Sequence, residues 1–255
     1  MSTLFVAWRG GDAFNGTWGP VGRLQFVDGI YRFCYTRGAR SLDGFQPFAQ
    51  MTDLDRIYES VDLFPVFANR LLSPSRPEYD EFLRWSGFDP VTSPDPIAIL
   101  GVTEGIRQTD SIEVFPCPQP DSEGRYFNKF FVHGVRWMPA WANNRASQLR
   151  TDEPLALMPD PCNKFDRKAV ALRTVQDATL IGYVPRYMAR DVGQLLAQCR
   201  PELINVQVEQ LNSAAPSQQR ILCRLHACWP DGFQPCSQRE FQPIPQEATA
   251  NCGGA

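Results

Sequence analysis

Apolar and polar residues alternate over several short stretches of this chain, and the alternation predicts strands. Residues 4–8 alternate weakly. Residues 21–27 and 30–36 flank Asp28-Gly29, a pair that favours a two-residue type I′ hairpin. Residues 97–102 and 111–115 read as two further strands. Leu155 and Leu157 then enter a Pro/Asn/Asp-rich turn over 159–166. Strand 169–173, a polar turn at Gln176-Asp177 and strand 180–184 follow. Residues 203–211 place Ile204, Val206 and Val208 on one face. Residues 221–228 alternate too, across a polar hairpin loop at 213–219.

A longer period appears in two places. Residues 53–88 read as helical, with Pro65 at a first helical turn and Val66, Phe67, Leu71 and Leu72 after it. Within that block 75–87 is a second short helix. It presents Tyr79, Phe82, Leu83 and Trp85 and ends at Gly87. Pro185 opens a helix over 186–199 with Met188, Val192, Leu195, Leu196 and Cys199 on one face. Residues 89–96 and 116–124 are Pro/Ser-rich connectors, and the Gln/Pro/Gly-rich end is expected to fray. The elements predict an α+β chain, mostly β. Its parts are an N-terminal module at 1–90, a linker with bridging strands at 91–124, a second module at 125–230 and a flexible tail at 231–255.

The 255 residues suit one or two domains. No apolar run is long enough to span a membrane, and MSTLFVAWRGG lacks the basic and apolar regions of a secretion signal. A cytoplasmic protein is expected. The eight cysteines are scattered without a C-x-x-C pair, so reduced thiols are the simpler reading. G-G-D-A-F-N-G at 10–16 is not a phosphate loop, because no Lys-Ser/Thr follows it. Net charge is −3, yet its distribution is uneven. Residues 125–200 hold 12 Lys/Arg against 6 Asp/Glu, and the rest of the chain 13 against 22. A basic module inside an acidic chain suits phosphate binding by that module alone.

The chemistry concentrates on the turn that carries Phe165, Asp166, Arg167 and Lys168. The end of a single strand of DNA needs flat partners for its bases, cations for its phosphates and an acceptor for its terminal hydroxyl. Trp137 and Phe165 supply rings, Arg136, Lys168 and Arg186 supply cations, and Asp166 supplies the acceptor. A terminal phosphate would instead meet the like charge of Asp166. Each residue also has a plainer reading. Phe165 and Trp137 would be core, Asp166 would cap its own turn, and Arg136 and Arg186 would be solvated.

The run D-P-x-N-x-F-D-x-x-A-V-A from Asp160, then I-G-Y-V-P-R and an amphipathic helix, resembles the HIRAN domain. FFVHGVRW at 130–137 resembles that family's first strand, so the likeness covers roughly 125–210. It implies an OB-like barrel that recognises the 3′-hydroxyl end of single-stranded DNA. Such domains occur in eukaryotic fork-remodelling translocases and as free-standing bacterial proteins. On this resemblance Arg136 and Trp137 fall on the family's Arg-aromatic pair, and Asn163, Phe165 and Asp166 on its Asn-x-aromatic-Asp turn. Tyr183 and Arg186 fall on the pair after the glycine of the second strand. Two departures are Met138, where a second aromatic is common, and Lys168, where Asn is common.

Residues 1–90 loosely resemble the small N-terminal subdomain of HipA-type kinases, through a β-rich start followed by LFPVFANRLL. The chain has no Gly-rich ATP loop, H-R-D or D-F-G, so kinase activity does not carry over. The expected function is therefore non-enzymatic recognition of single-stranded DNA 3′ ends, in DNA repair or phage defence, with no cofactor, metal or catalytic residue. One alternative is a protein-interaction adaptor that docks a partner through residues 1–90. Another is a Mg²⁺-dependent nuclease using Asp160, Asp166 and Lys168, although both acids lie on one short turn. Cys223, His226 and Cys228 cannot converge on zinc from an alternating strand.

Overall fold

The computed structural model describes residues 2–11, 16–107 and 110–245. The loop at 10–16 and the tail beyond 245 thus fall partly or wholly outside the described residues. Two compact units cut the chain differently from the expected modules. One comprises Met1–Arg70, Gly105–Pro116 and Cys236–Ala255, and the other Leu71–Glu104 and Cys117–Pro235. The segment expected to bridge, 91–124, is divided between them.

In the first unit β1 (Ser2–Arg9), β2 (Trp18–Val27), β3 (Ile30–Tyr35), β4 (Tyr58–Ser60) and β5 (Ile112–Pro116) form an antiparallel sheet in the order β4-β3-β2-β1-β5. Asp28 and Gly29 both take positive φ, 52° and 80°, as the type I′ turn requires. The register slips opposite Val6/Ala7, next to Pro20, which has no N–H to give to the ladder. Short helices α1 (Gly38–Ser41) and α2 (Pro65–Ala68) follow β3 and β4. Strand β4 corrects the expectation that 53–88 is helical throughout: its backbone pairs with β3. The core is aromatic, with Phe33, Tyr35, Phe67 and Phe115 fully buried. The Tyr35 hydroxyl donates to Met51 O at 2.7 Å, and burial pushes its pKa up to about 12. Part of the expected loose tail is tied down here. Pro243 bridges Thr36, and the Ile244 N–H donates to Tyr35 O at 2.9 Å.

The second unit holds helices α3 (Tyr79–Trp85), α4 (Pro96–Thr103), α5 (Ala140–Ala146) and α6 (Arg186–Gln198). Its sheet comprises β6 (Arg125–Phe131), β7 (Pro154–Pro159), β8 (Val170–Thr174), β9 (Leu180–Tyr183), β10 (Asn205–Leu211) and β11 (Ile221–Cys228). All pairs are antiparallel in the order β6-β11-β10-β7-β8-β9, and an isolated bridge between His133 and Tyr183 joins the two ends of that series. The sheet thereby curls into an OB-like barrel. A Cβ at Gly182 would lie 2.5 Å from the His133 carbonyl, so the closure needs a residue without one.

Two expectations fail here for stated reasons. Residues 97–102 are not a strand but the body of α4. Asp95 accepts the Ile97 N–H at 3.0 Å and Pro96 takes the first helical position. Cys199 and Cys228, expected as thiols, are joined in a disulfide with Cα atoms 6.1 Å apart. It ties the end of α6 to the end of β11 and closes a 29-residue separation. The described part of the C-terminal region is packed as well, with Phe233 buried against Trp229 and Tyr126. Among the described residues no helix is long and apolar enough to cross a membrane.

Candidate nucleic-acid interface

The turn between β7 and β8 is held by its own side chains. The Asp160 N–H donates to Ala169 O at 2.8 Å and closes its base. The Asn163 carbonyl accepts the N–H groups of Phe165 at 3.0 Å and Asp166 at 3.2 Å. Asp166 Oδ1 accepts the Lys168 N–H at 2.9 Å. These are the local bonds that Asn and Asp favour in turns. They leave the Phe165 ring outside, 89 % exposed, so it plugs no core.

The plain reading of Asp166 as a turn cap holds, and the same carboxylate also meets a cation. One oxygen caps the turn, while Oδ2 lies 3.5 Å from Arg186 Nε. Arg186 begins α6 directly after Pro185, and no side chain caps that helix start. Its first N–H groups and its dipole therefore favour a negative group near Arg186. Lys164, Arg167 and Lys168 are exposed on the same turn. By contrast, Lys129 and Arg145 in this basic module are already paired, with Glu209 and with Glu153 and Asp177. Part of the positive excess read from the sequence thus stands exposed at this turn, on Lys164, Arg167 and Lys168.

Tyr183 connects the turn to the other half of the site. Its hydroxyl donates to Asp160 Oδ2 at 3.0 Å, and the same oxygen receives the Asn163 amide at 3.3 Å. Burial, then the Asp160 contact, raises its pKa. Its backbone pairs both ways with His133, at 2.9 Å each, just before the 3₁₀ turn Val135–Trp137. There the Arg136 guanidinium stacks over the Trp137 ring at 4.6 Å, and the ring is 74 % exposed. The structure thus links Asn163 to Tyr183 through Asp160 and Asp166 directly to Arg186. It sets Arg136 and Trp137 beside β9 through the backbone, while Phe165 and Lys168 stand out from the turn.

Two supporting residues were not foreseen. The sequence offers Asp160 a role only as a nuclease ligand, yet it clamps Tyr183 and Asn163. Glu104 is 1 % exposed, meets His133 Nε2 at 2.8 Å and accepts from the Tyr187 hydroxyl at 3.1 Å. It therefore steadies both the barrel closure and the residue after Arg186. No spacing rule could reveal it, because 29 residues separate it from His133. No group of three or more potential metal-binding side chains occurs among the described residues.

Residues 127–226 match the family model of the HIRAN domain. The second unit carries a HIRAN domain. The match leaves residues 1–126 outside it, so it gives no support to the HipA-like reading of the N-terminus. Among curated proteins none matches the chain as a relative. Two solved structures are similar. The HIRAN domain of human HLTF is 18 % identical, over 41 % of this chain and 78 % of that one, with a TM-score of 0.28. A protein from Lactobacillus plantarum is 21 % identical, over 40 % of this chain and 98 % of that one, with a TM-score of 0.29.

Proposed function

We propose that the HIRAN domain of this protein binds the 3′-hydroxyl end of single-stranded DNA without cleaving it. The observation that carries this reading is the Asp166–Arg186 pair beside the exposed ring of Phe165. Phe165 and Trp137 offer faces for unstacked bases. Arg136, Lys168, Arg186 and the start of α6 offer donors for phosphates. Asp166 Oδ2 accepts from a terminal hydroxyl, while Arg186 limits the repulsion of the adjoining phosphate.

A terminal 3′-phosphate would bring a second negative group against Asp166, so the end chemistry is discriminated by charge. Asn163 and Tyr183 act through Asp160 by fixing the turn. The engagement of Asp160 with Tyr183 and Asn163 supports a binding role over metal-dependent cleavage. Fluorescence anisotropy with short oligonucleotides bearing 3′-hydroxyl, 3′-phosphate or blocked ends tests the reading. Tighter binding of the free hydroxyl is expected; equal affinity for all three would refute it.

A further inference from the structure

The first unit contains a cleft of about 530 Å³ lined by Arg37, Arg40, Ser41, Arg239, Glu240 and Ile244. That volume lies within the range of about 300–1,000 Å³ common for small-molecule sites. Its walls are tied together. The Arg37 N–H donates to Gln242 O at 2.8 Å, and Pro243 bridges Thr36. Gly38 lets α1 press onto the sheet, since a Cβ there would sit 1.9 Å from Pro20 O. The arginines therefore stand on a fixed frame and not on a loose loop.

Arg40 is held by both oxygens of Asp55, at 2.5 and 2.6 Å. Among the described residues no side-chain ion pair occupies Arg37 or Arg239. Glu240 adds one opposing carboxylate to the lining. Guanidinium forks that line one cleft are well satisfied by an anionic group with several acceptor oxygens. A phosphate ester fits that description, with Ile244 as an apolar wall. We propose that this cleft is an anion site that takes the phosphate of a nucleotide or of a nucleic-acid backbone. It stands apart from the HIRAN reading and does not depend on it.

The test uses the full chain and isothermal titration with three probes: deoxyadenosine monophosphate, an oligonucleotide blocked at both ends, and polyglutamate. Arg37→Glu and Arg239→Glu are expected to weaken phosphate binding about tenfold each, and Glu240→Gln to strengthen it. An effect on the mononucleotide identifies a free nucleotide as ligand; an effect on the oligonucleotide alone identifies a strand backbone. The preference for 3′-hydroxyl over 3′-phosphate ends stays as in the unaltered protein, so loss of either site is read separately. The proposal is overturned if neither phosphate probe responds to the three substitutions, or if polyglutamate responds as strongly as they do.

Discussion

The two units use aromatic residues in opposite ways. The first sheet hides its rings, with Phe33, Tyr35 and Phe67 fully buried in one cluster and Phe115 buried beside Phe5 and Phe241. The HIRAN unit displays Trp137, Trp141 and Phe165, each more than 60 % exposed. The first unit pairs its buried charges locally, Arg70 with Asp110 and Glu113 with Arg9. The HIRAN unit likewise sets its buried Glu104 against His133 and Tyr187, but it also buries Asp191 on α6, where burial raises the carboxyl pKa. A ring kept in water forgoes its burial energy, and the proposed binding of single-stranded DNA would recover part of it.

The sharpest way to break this contrast is to truncate one ring from each unit. Phe33→Ala is expected to cost about 3–5 kcal/mol of stability, read by chemical denaturation, and to leave DNA affinity per folded molecule unchanged. Loss of affinity without loss of stability would place Phe33 in the wrong class.

Buried charge gives the next effect. Burial pushes the Asp191 pKa up to about 7, only partly opposed by Arg190. The native state therefore favours the protonated acid. Its stabilising effect is complete below the ordinary carboxylate range and is lost as pH rises through about 7. Asp191→Asn is expected to remove that slope and to raise stability at pH 8 by up to about 4 kcal/mol, on the scale of 1.36 kcal/mol per unit. Unfolding free energies that run parallel for the two proteins from pH 4 to 8 would refute this account.

The smaller effect belongs to the exposed rings. Phe165→Ala is expected to leave the unfolding midpoint in place and to weaken single-strand binding by about 1–3 kcal/mol. A shifted midpoint with full affinity would mean that the ring serves packing after all.

Much of the fold was legible because strands with one buried face announce themselves by period. Residues 21–27 and 30–36, with Asp28-Gly29 between them, and 203–211 with 221–228 lie close to observed hairpins. Helix α4 was not legible, since Pro96–Thr103 carries an almost unbroken apolar run with no period to read. Helix α5 was hidden by Trp141, Asn143 and Asn144, weak helix formers, and by the lack of a side-chain cap. At the site, the turn residues could be read because Asn163 and Asp166 act on their own backbone. Asp160 and Glu104 could not, because their partners arrive from other strands and helices. The disulfide was equally invisible, since Cys199 and Cys228 become neighbours only when the end of α6 meets the end of β11.

The most direct test separates the two roles of Asp166. Asp166→Asn keeps an oxygen to cap the Lys168 N–H and removes only the charge. The ratio of affinities for 3′-hydroxyl and 3′-phosphate oligonucleotides is measured for both proteins at equal salt. The account predicts that the unaltered protein favours the hydroxyl and that the substitution erases most of that preference, about tenfold, while the fold stays intact. An unchanged ratio would contradict it and leave Asp166 as a turn cap alone.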